Sequence, residues 1–115
     1  METEYVFAML TVTDLGVATD WYRRLLGRPP DLRPHEGEAA WQLTGSASLC
    51  LVEDPMGAGG GAITLVVSGL DRVLGDVSER GIPPVEARPV GDAGRKAVLS
   101  DPDGNAVAVV ELAVP

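Results

Sequence analysis

The chain has one cysteine, one histidine and one phenylalanine, and each scarcity removes a class of chemistry. A lone thiol closes no internal disulfide. Cys50 sits in the apolar run Leu49-Cys50-Leu51-Val52 with no histidine near it in sequence, so it reads as a small buried hydrophobe rather than a nucleophile. No apolar run approaches the roughly 20 residues that a membrane-crossing helix needs. The first residues, METEYVFAML, are acidic where a secretory signal is basic, and their apolar stretch is short, so cytoplasmic residence is the expectation. Lysine and arginine number 9 against 17 acidic residues, a net charge of −8 with no basic stripe. Neither nucleic acid nor a membrane is therefore expected as a partner. The acidic surface serves solubility first, and it also favours the approach of a cationic ligand. What is present is a 115-residue chain, 45% hydrophobic, enough for one domain with a modest core.

The chain is written twice. Leu10-Thr11-Val12-Thr13-Asp14-Leu15 recurs as Leu65-Val66-Val67-Ser68-Gly69-Leu70, Gly27-Arg28-Pro29-Pro30 as Gly81-Ile82-Pro83-Pro84, and Arg33-Pro34 as Arg88-Pro89. Three landmarks in one order at a nearly constant offset indicate two copies of one supersecondary unit, since the period is too long and the copies too few for a solenoid.

Each copy reads as a βαβββ unit. Tyr5 to Val12 is rich in strand formers. Asp14 or Thr13 is placed to cap a following helix, in which Leu15, Ala18, Tyr22 and Leu25 share one face and Gly27 supplies the left-handed stop. Ala39 to Leu43 and Ser48 to Glu53 follow as strands about a Gly45-Ser46 turn. In the second copy Ala62 to Val67 is a strand, Leu70 to Arg80 a helix capped by Ser68 and stopped by Gly81. Val85 to Val90 is a weak strand, and Arg95 to Ser100 and Ala106 to Leu112 are strands flanking the dense turn Asp101-Pro102-Asp103-Gly104-Asn105. Module 1 thus spans 1–53 and module 2 spans 62–115. The glycine-rich segment 54–61 reads as a flexible linker, which would allow the modules to pair within a chain or to exchange between two chains of a homodimer.

Val12-Thr13-Asp14-Leu15, Trp21-Tyr22, Leu26-Gly27 and the Asp101-Pro102-Asp103-Gly104-Asn105 turn, set in this tandem plan, resemble the vicinal-oxygen-chelate superfamily of glyoxalases, bleomycin resistance proteins and extradiol dioxygenases. The resemblance covers nearly the whole chain. It implies an α+β fold in which two βαβββ modules form curved mixed sheets around a cleft, usually in a homodimer. It also implies where metal ligands stand in the metal-dependent members. Those positions fall on Phe7, seven residues before Asp14, on Ala62, seven before Gly69, and on Ala108, three after Asn105. The last strand of module 1 offers only Leu49, Cys50, Leu51 and Val52 before Glu53. Phe and Ala carry no donor for a hard divalent ion, and the single histidine, His35, lies in a loop and reads as a solvated residue. The expectation is therefore no metal and no other cofactor.

Strand alternation places Phe7, Met9 and Thr11 on one face of the first strand and Ala8, Leu10 and Val12 under the helices. In module 2, Ala62, Thr64 and Val66, with Ala106, Ala108 and Val110, would face the cleft, leaving Ile63, Leu65 and Val67 beneath. Trp41 is a further candidate for the lining, whereas Trp21 and Tyr22 are expected to pack. A ligand site of Phe7, Met9, Thr11, Trp41, Ala62, Thr64 and Ala108 would suit an aromatic or apolar small molecule. The expected function is metal-independent binding and sequestration, as in the bleomycin resistance branch. The alternative is a degenerate isomerase, lyase or dioxygenase of the same superfamily, for which Glu53 or Asp101 would have to serve as base.

Overall fold

The computed structural model describes residues 1–113. Module 1 comprises β1 (Val6–Val12), α1 (Leu15–Leu26), β2 (Glu38–Thr44) and β3 (Ala47–Glu53). Module 2 comprises β4 (Ala62–Val66), α2 (Leu70–Glu79), β5 (Arg88–Pro89), β6 (Gly94–Ser100) and β7 (Ala106–Leu112). Their sheets run β1-β3-β2 and β4-β7-β6-β5. In each, the first and last strands of the module pair in parallel and the remaining pairs are antiparallel. The repeat read from the sequence is therefore a repeat of topology. An isolated bridge between Leu32 and Ala40 stands in module 1 where β5 stands in module 2. The strand expected over Val85 to Val90 contracts to Arg88–Pro89, and Pro89 has no N–H to donate to its ladder.

Both helices form for the expected reasons, with one correction. Asp14 accepts from the N–H of Val17 at 3.0 Å, and Gly27 closes α1 at φ +80° while its N–H bonds Arg23 O. Leu15, Ala18, Tyr22 and Leu25 are buried, and so is Trp21. Ser68 does not cap α2. Gly69 occupies the cap in a left-handed conformation with no side-chain bond of its own, and Glu111 Oε1 accepts from the N–H groups of Gly69 and Leu70 at 2.8 and 3.0 Å. Glu53 does the same in module 1, accepting from Leu15 N–H at 2.8 Å. Each module thus uses a glutamate on its last strand to satisfy the free donors of its own helix, an arrangement that also sets charge against the positive helix end.

The core lies between the sheets and the helices. Leu10, Val12, Tyr22, Trp41, Leu49, Leu51, Leu70, Val107 and Val109 are all buried there. The two modules are locked to each other by polar contacts at the Asp101–Asn105 turn. Tyr22 donates to Asp101 Oδ2 at 2.8 Å, and Asn105 Nδ2 donates both to Thr11 O and to Asp101 Oδ2. Asp103 Oδ1 accepts from the N–H of Thr13. Arg80 reaches from α2 to the carbonyls of Arg24 and Leu25 at the end of α1.

The 54–61 segment is not the free connector that its glycines suggested. Asp54 N–H bonds Val12 O, Thr11 Oγ1 donates to Gly57 O, and Gly61 N–H donates to Asn105 Oδ1. Glycine is required here by proximity: at Gly59, φ +95°, a Cβ would stand 2.4 Å from the carbonyl oxygen of Asp103.

Candidate functional site

One face of each sheet carries the helices and the other is open. Pairing registers identify the open faces without reference to exposure, since directly paired residues share a side. On module 1 the rows are Phe7 with Ser48 and Gln42, Met9 with Cys50 and Ala40, and Thr11 with Val52 and Glu38. On module 2 they are Thr64 with Ala108 and Val98, then Val66 with Val110, Lys96 and Arg88. The alternation expected for β1 is observed: Phe7 and Met9 are 59% and 52% exposed, whereas Leu10 and Val12 are buried.

Of the seven residues expected to line a cleft, six lie on these open faces. Thr64 and Ala108 are cross-strand partners, and Ala62 lies one row away opposite Ala106. Phe7, Met9 and Thr11 follow one another along β1. The hydroxyl of Thr11 is spent on Gly57 O, so that residue is a fastener of the linker. Trp41 must be removed from the set. It pairs with Leu49 on the helix side, is fully buried beside Tyr22 at a ring-centroid distance of 6.2 Å, and donates its indole N–H to Arg28 O at 2.9 Å. The aromatic companion of Phe7 is instead Tyr5, at 4.8 Å between centroids.

Cys50 and Ser48 lie on the middle strand of the module 1 face, and both are buried. Burial, assisted by the nearby Glu38 carboxylate, pushes the Cys50 thiol above its ordinary pKa, which disfavours the thiolate. Ser48 Oγ is bonded to Tyr5 OH at 2.5 Å. On module 2, a hollow of about 210 Å³ is lined by Thr64, Val90, Lys96, Ala108, Val110 and Leu112. A second, of about 330 Å³, is lined by Val85, Glu86, Arg88, Lys96 and Val98. Around them the exposed side chains of Phe7, Met9, Val66, Val98 and Leu112 give both faces an apolar surface.

The metal positions implied by the resemblance do not make a donor set. Phe7, Ala62 and Ala108 offer no oxygen or nitrogen from their side chains, and the Glu53 carboxylate is turned to the start of α1. Among the described residues no group of three or more His, Cys, Asp or Glu side chains could hold a metal ion. The residues present therefore do not fit a hard divalent cation, which needs several converging donors.

The candidate bases are likewise engaged. Asp101 is buried and accepts from Tyr22, Asn105 Nδ2 and the N–H groups of Asp103 and Asn105. Burial, together with the bond to Asp101 and the charges of Asp101 and Asp103, raises the Tyr22 phenol far above its ordinary pKa. Its proton stays on the oxygen as a structural donor. His35 is a loop residue, 62% exposed, whose Nδ1 accepts from Gly37 N–H and whose Nε2 lies 3.1 Å from Glu38.

The acidic balance of the whole chain, from which a cationic ligand was expected, is not uniform over its surface. Arg88 and Lys96 are direct cross-strand partners on the open face of module 2. The period-two spacing of Lys96 and Val98 along β6 places both on this face. Arg88 reaches the same row through β5, which is only two residues long.

Comparison with known proteins places these features in context. The family model described as Glyoxalase/Bleomycin resistance protein/Dioxygenase superfamily matches residues 5–109. A glyoxalase/bleomycin resistance protein from Catenulispora acidiphila superposes with a TM-score of 0.89 at 42% identity, over 98% of this chain and 100% of that one. TnmS3, an antibiotic-binding protein from a Streptomyces species, gives 0.78 at 23% identity, covering 98% and 97%. A bleomycin-binding protein in complex with bleomycin gives 0.77 at 22% identity, covering 96% and 100%. No curated protein sequence matches the chain significantly.

Proposed function

From the chain's membership of the glyoxalase/bleomycin resistance protein/dioxygenase superfamily, we propose that it is a metal-independent binding protein that sequesters a small apolar or aromatic molecule against its open sheet faces. The observation that carries this reading is the composition of those faces. At the positions where the sequence resemblance implies metal ligands stand Phe7, Ala62 and Ala108, and on the same open faces Met9, Val66, Val98 and Leu112 present apolar surface beside a hollow containing Thr64. Aromatic, thioether and small side chains beside a single hydroxyl match what binding sites for apolar ligands are made of. An enzymatic role would need a free acid–base group, and the two carboxylates best placed by sequence are committed to helix α1 and to Tyr22.

The same exposed faces support a homodimer, in which a second copy would cover part of this surface and deepen a shallow hollow into a cleft. Exchange of modules between chains would re-form the Tyr22–Asp101 and Thr11–Asn105 bonds in trans, so it would present the same faces. Likeness to an antibiotic-binding protein and to a bleomycin-binding protein supports sequestration of a natural product.

Two measurements test the reading together. A panel of aromatic natural products is screened by thermal melting, and the purified protein is submitted to elemental analysis. A ligand at a hundredfold excess over its Kd stabilises by about 2.7 kcal/mol, or roughly 10 °C in a domain of this size. One tightly bound transition metal per chain, or a panel that leaves the melting point unmoved, would overturn it.

A further inference from the structure

We propose that the open face of module 2 recognises an acidic group, so that the ligand is an aromatic or apolar acid held through Lys96 and Arg88. This rests on the binding reading above and narrows it. Arg88 and Lys96 are paired directly across β5 and β6, in one row with Val110 and Val66. Like charges directly opposed in a sheet destabilise it, and this chain has 17 acidic residues from which to supply a counter-charge. It does so for several other cations, Arg23 and Arg24 pairing with Asp20, Arg28 with Asp31 and Arg95 with Asp71, while Arg33 and Arg72, like the Arg88–Lys96 pair, have no ion pair among the described residues. Arg80 donates to backbone carbonyls. Among the described residues neither Arg88 nor Lys96 has an ion pair or a side-chain hydrogen bond, although Glu86 shares the larger hollow with them.

Position adds what charge alone does not. Lys96, the only lysine in the chain, lines both hollows, with Thr64, Val90, Val110 and Leu112 on one side and Val85 and Val98 on the other. Its stem can lie along apolar surface while the ammonium stands between the two hollows. The guanidinium beside it matches the two oxygens of a carboxylate, sulfonate or phosphate in a planar fork. An apolar body in the smaller hollow with its acidic group toward β5 would use every feature of the row and would relieve the repulsion between the two cations.

The test uses two fluorescent probes of nearly the same shape, anilinonaphthalene sulfonate and the uncharged N-phenylnaphthylamine, titrated into the full chain at low ionic strength. The sulfonate is expected to bind about tenfold more tightly than the neutral probe, with the advantage shrinking as salt is added. In the double variant Lys96→Gln, Arg88→Gln that ratio falls toward one, while the neutral probe keeps its affinity within about twofold and circular dichroism is unchanged. Arg72→Gln, which removes one positive charge from α2, leaves the ratio as in the parent. Equal affinity of the two probes in the parent, or a preference that survives the double variant, overturns the assignment of Lys96 and Arg88 and leaves the binding reading standing. Failure of both probes to bind overturns both.

Discussion

Replacing Asn105 with alanine removes one side chain and disconnects three groups. The Asn105 side chain is fully buried, its oxygen accepts from Gly61 N–H at 2.8 Å, and its amide nitrogen donates to Thr11 O at 3.0 Å and to Asp101 Oδ2 at 2.9 Å. β1 is an edge strand with a single neighbour, so no second strand is present to take up the carbonyl of Thr11. Alanine leaves one donor and one acceptor of the backbone without partners in a part-buried setting, at about 1–3 kcal/mol each. It also takes one of four bonds from Asp101. A loss of about 4 kcal/mol is the expectation, against a total of about 5–15 kcal/mol for a domain of this kind. With a urea slope of about 2 kcal/mol per molar, the unfolding midpoint should fall by about 2 M. Asn105→Asp supplies the contrast, because it keeps the shape but sets a second carboxylate against Asp101. It should be at least as damaging at neutral pH and should recover partially as the solution is acidified. A loss under about 1 kcal/mol for the alanine variant, with an unchanged slope, would refute the view that this turn holds the modules together.

Trp41→Ala should cost about 3–5 kcal/mol by denaturant unfolding, while Phe7→Ala should cost under about 1 kcal/mol and weaken ligand binding; equal destabilisation would undo the assignment of the two sheet faces. Tyr22 holds its proton in the folded chain far above the ordinary value near 10. Its contribution is therefore complete below about pH 10 and declines above it, as the unfolded chain ionises and the folded chain does not. Tyr22→Phe should abolish that part of the alkaline loss, seen as a flatter dependence of melting temperature on pH. Gly59→Ala forces a Cβ to within 2.4 Å of Asp103 O at φ +95°, and should lower stability by about 2 kcal/mol or more in thermal melts. A neutral result would show that the linker relaxes.

The tandem plan, both helices and the face assignment of β1 were legible in the sequence, because each rests on a local rule. Helical spacing, a left-handed glycine and strict alternation all act within a few residues. The unread features depend on contacts between distant segments. Trp41 faces the helices because β2 is registered against β3 with Trp41 opposite Leu49, and the continuous apolar run from Leu49 to Val52 gives no alternation from which to infer that parity. Glu53 invited assignment as a base or ligand because a carboxylate at a strand end carries no mark of the helix start it serves. Glu111 was overlooked for the same reason. The linker misled because glycine density has two causes, freedom and crowding, and here Gly59 is present for the second.

The Asp101–Asn105 turn also imposes an order on the birth of the protein. Its bonds to Thr13 and Thr11 span 90 and 94 residues of chain. At about 5–20 residues per second, a ribosome needs roughly 5–20 s to make that length. For about the second half of that interval, once Glu53 has been added, module 1 is complete but has a hydrated Tyr22 hydroxyl and the end of α1 uncovered. The first half of this chain is born unfinished, and chaperones or proteases meet it before the residues that seal it exist.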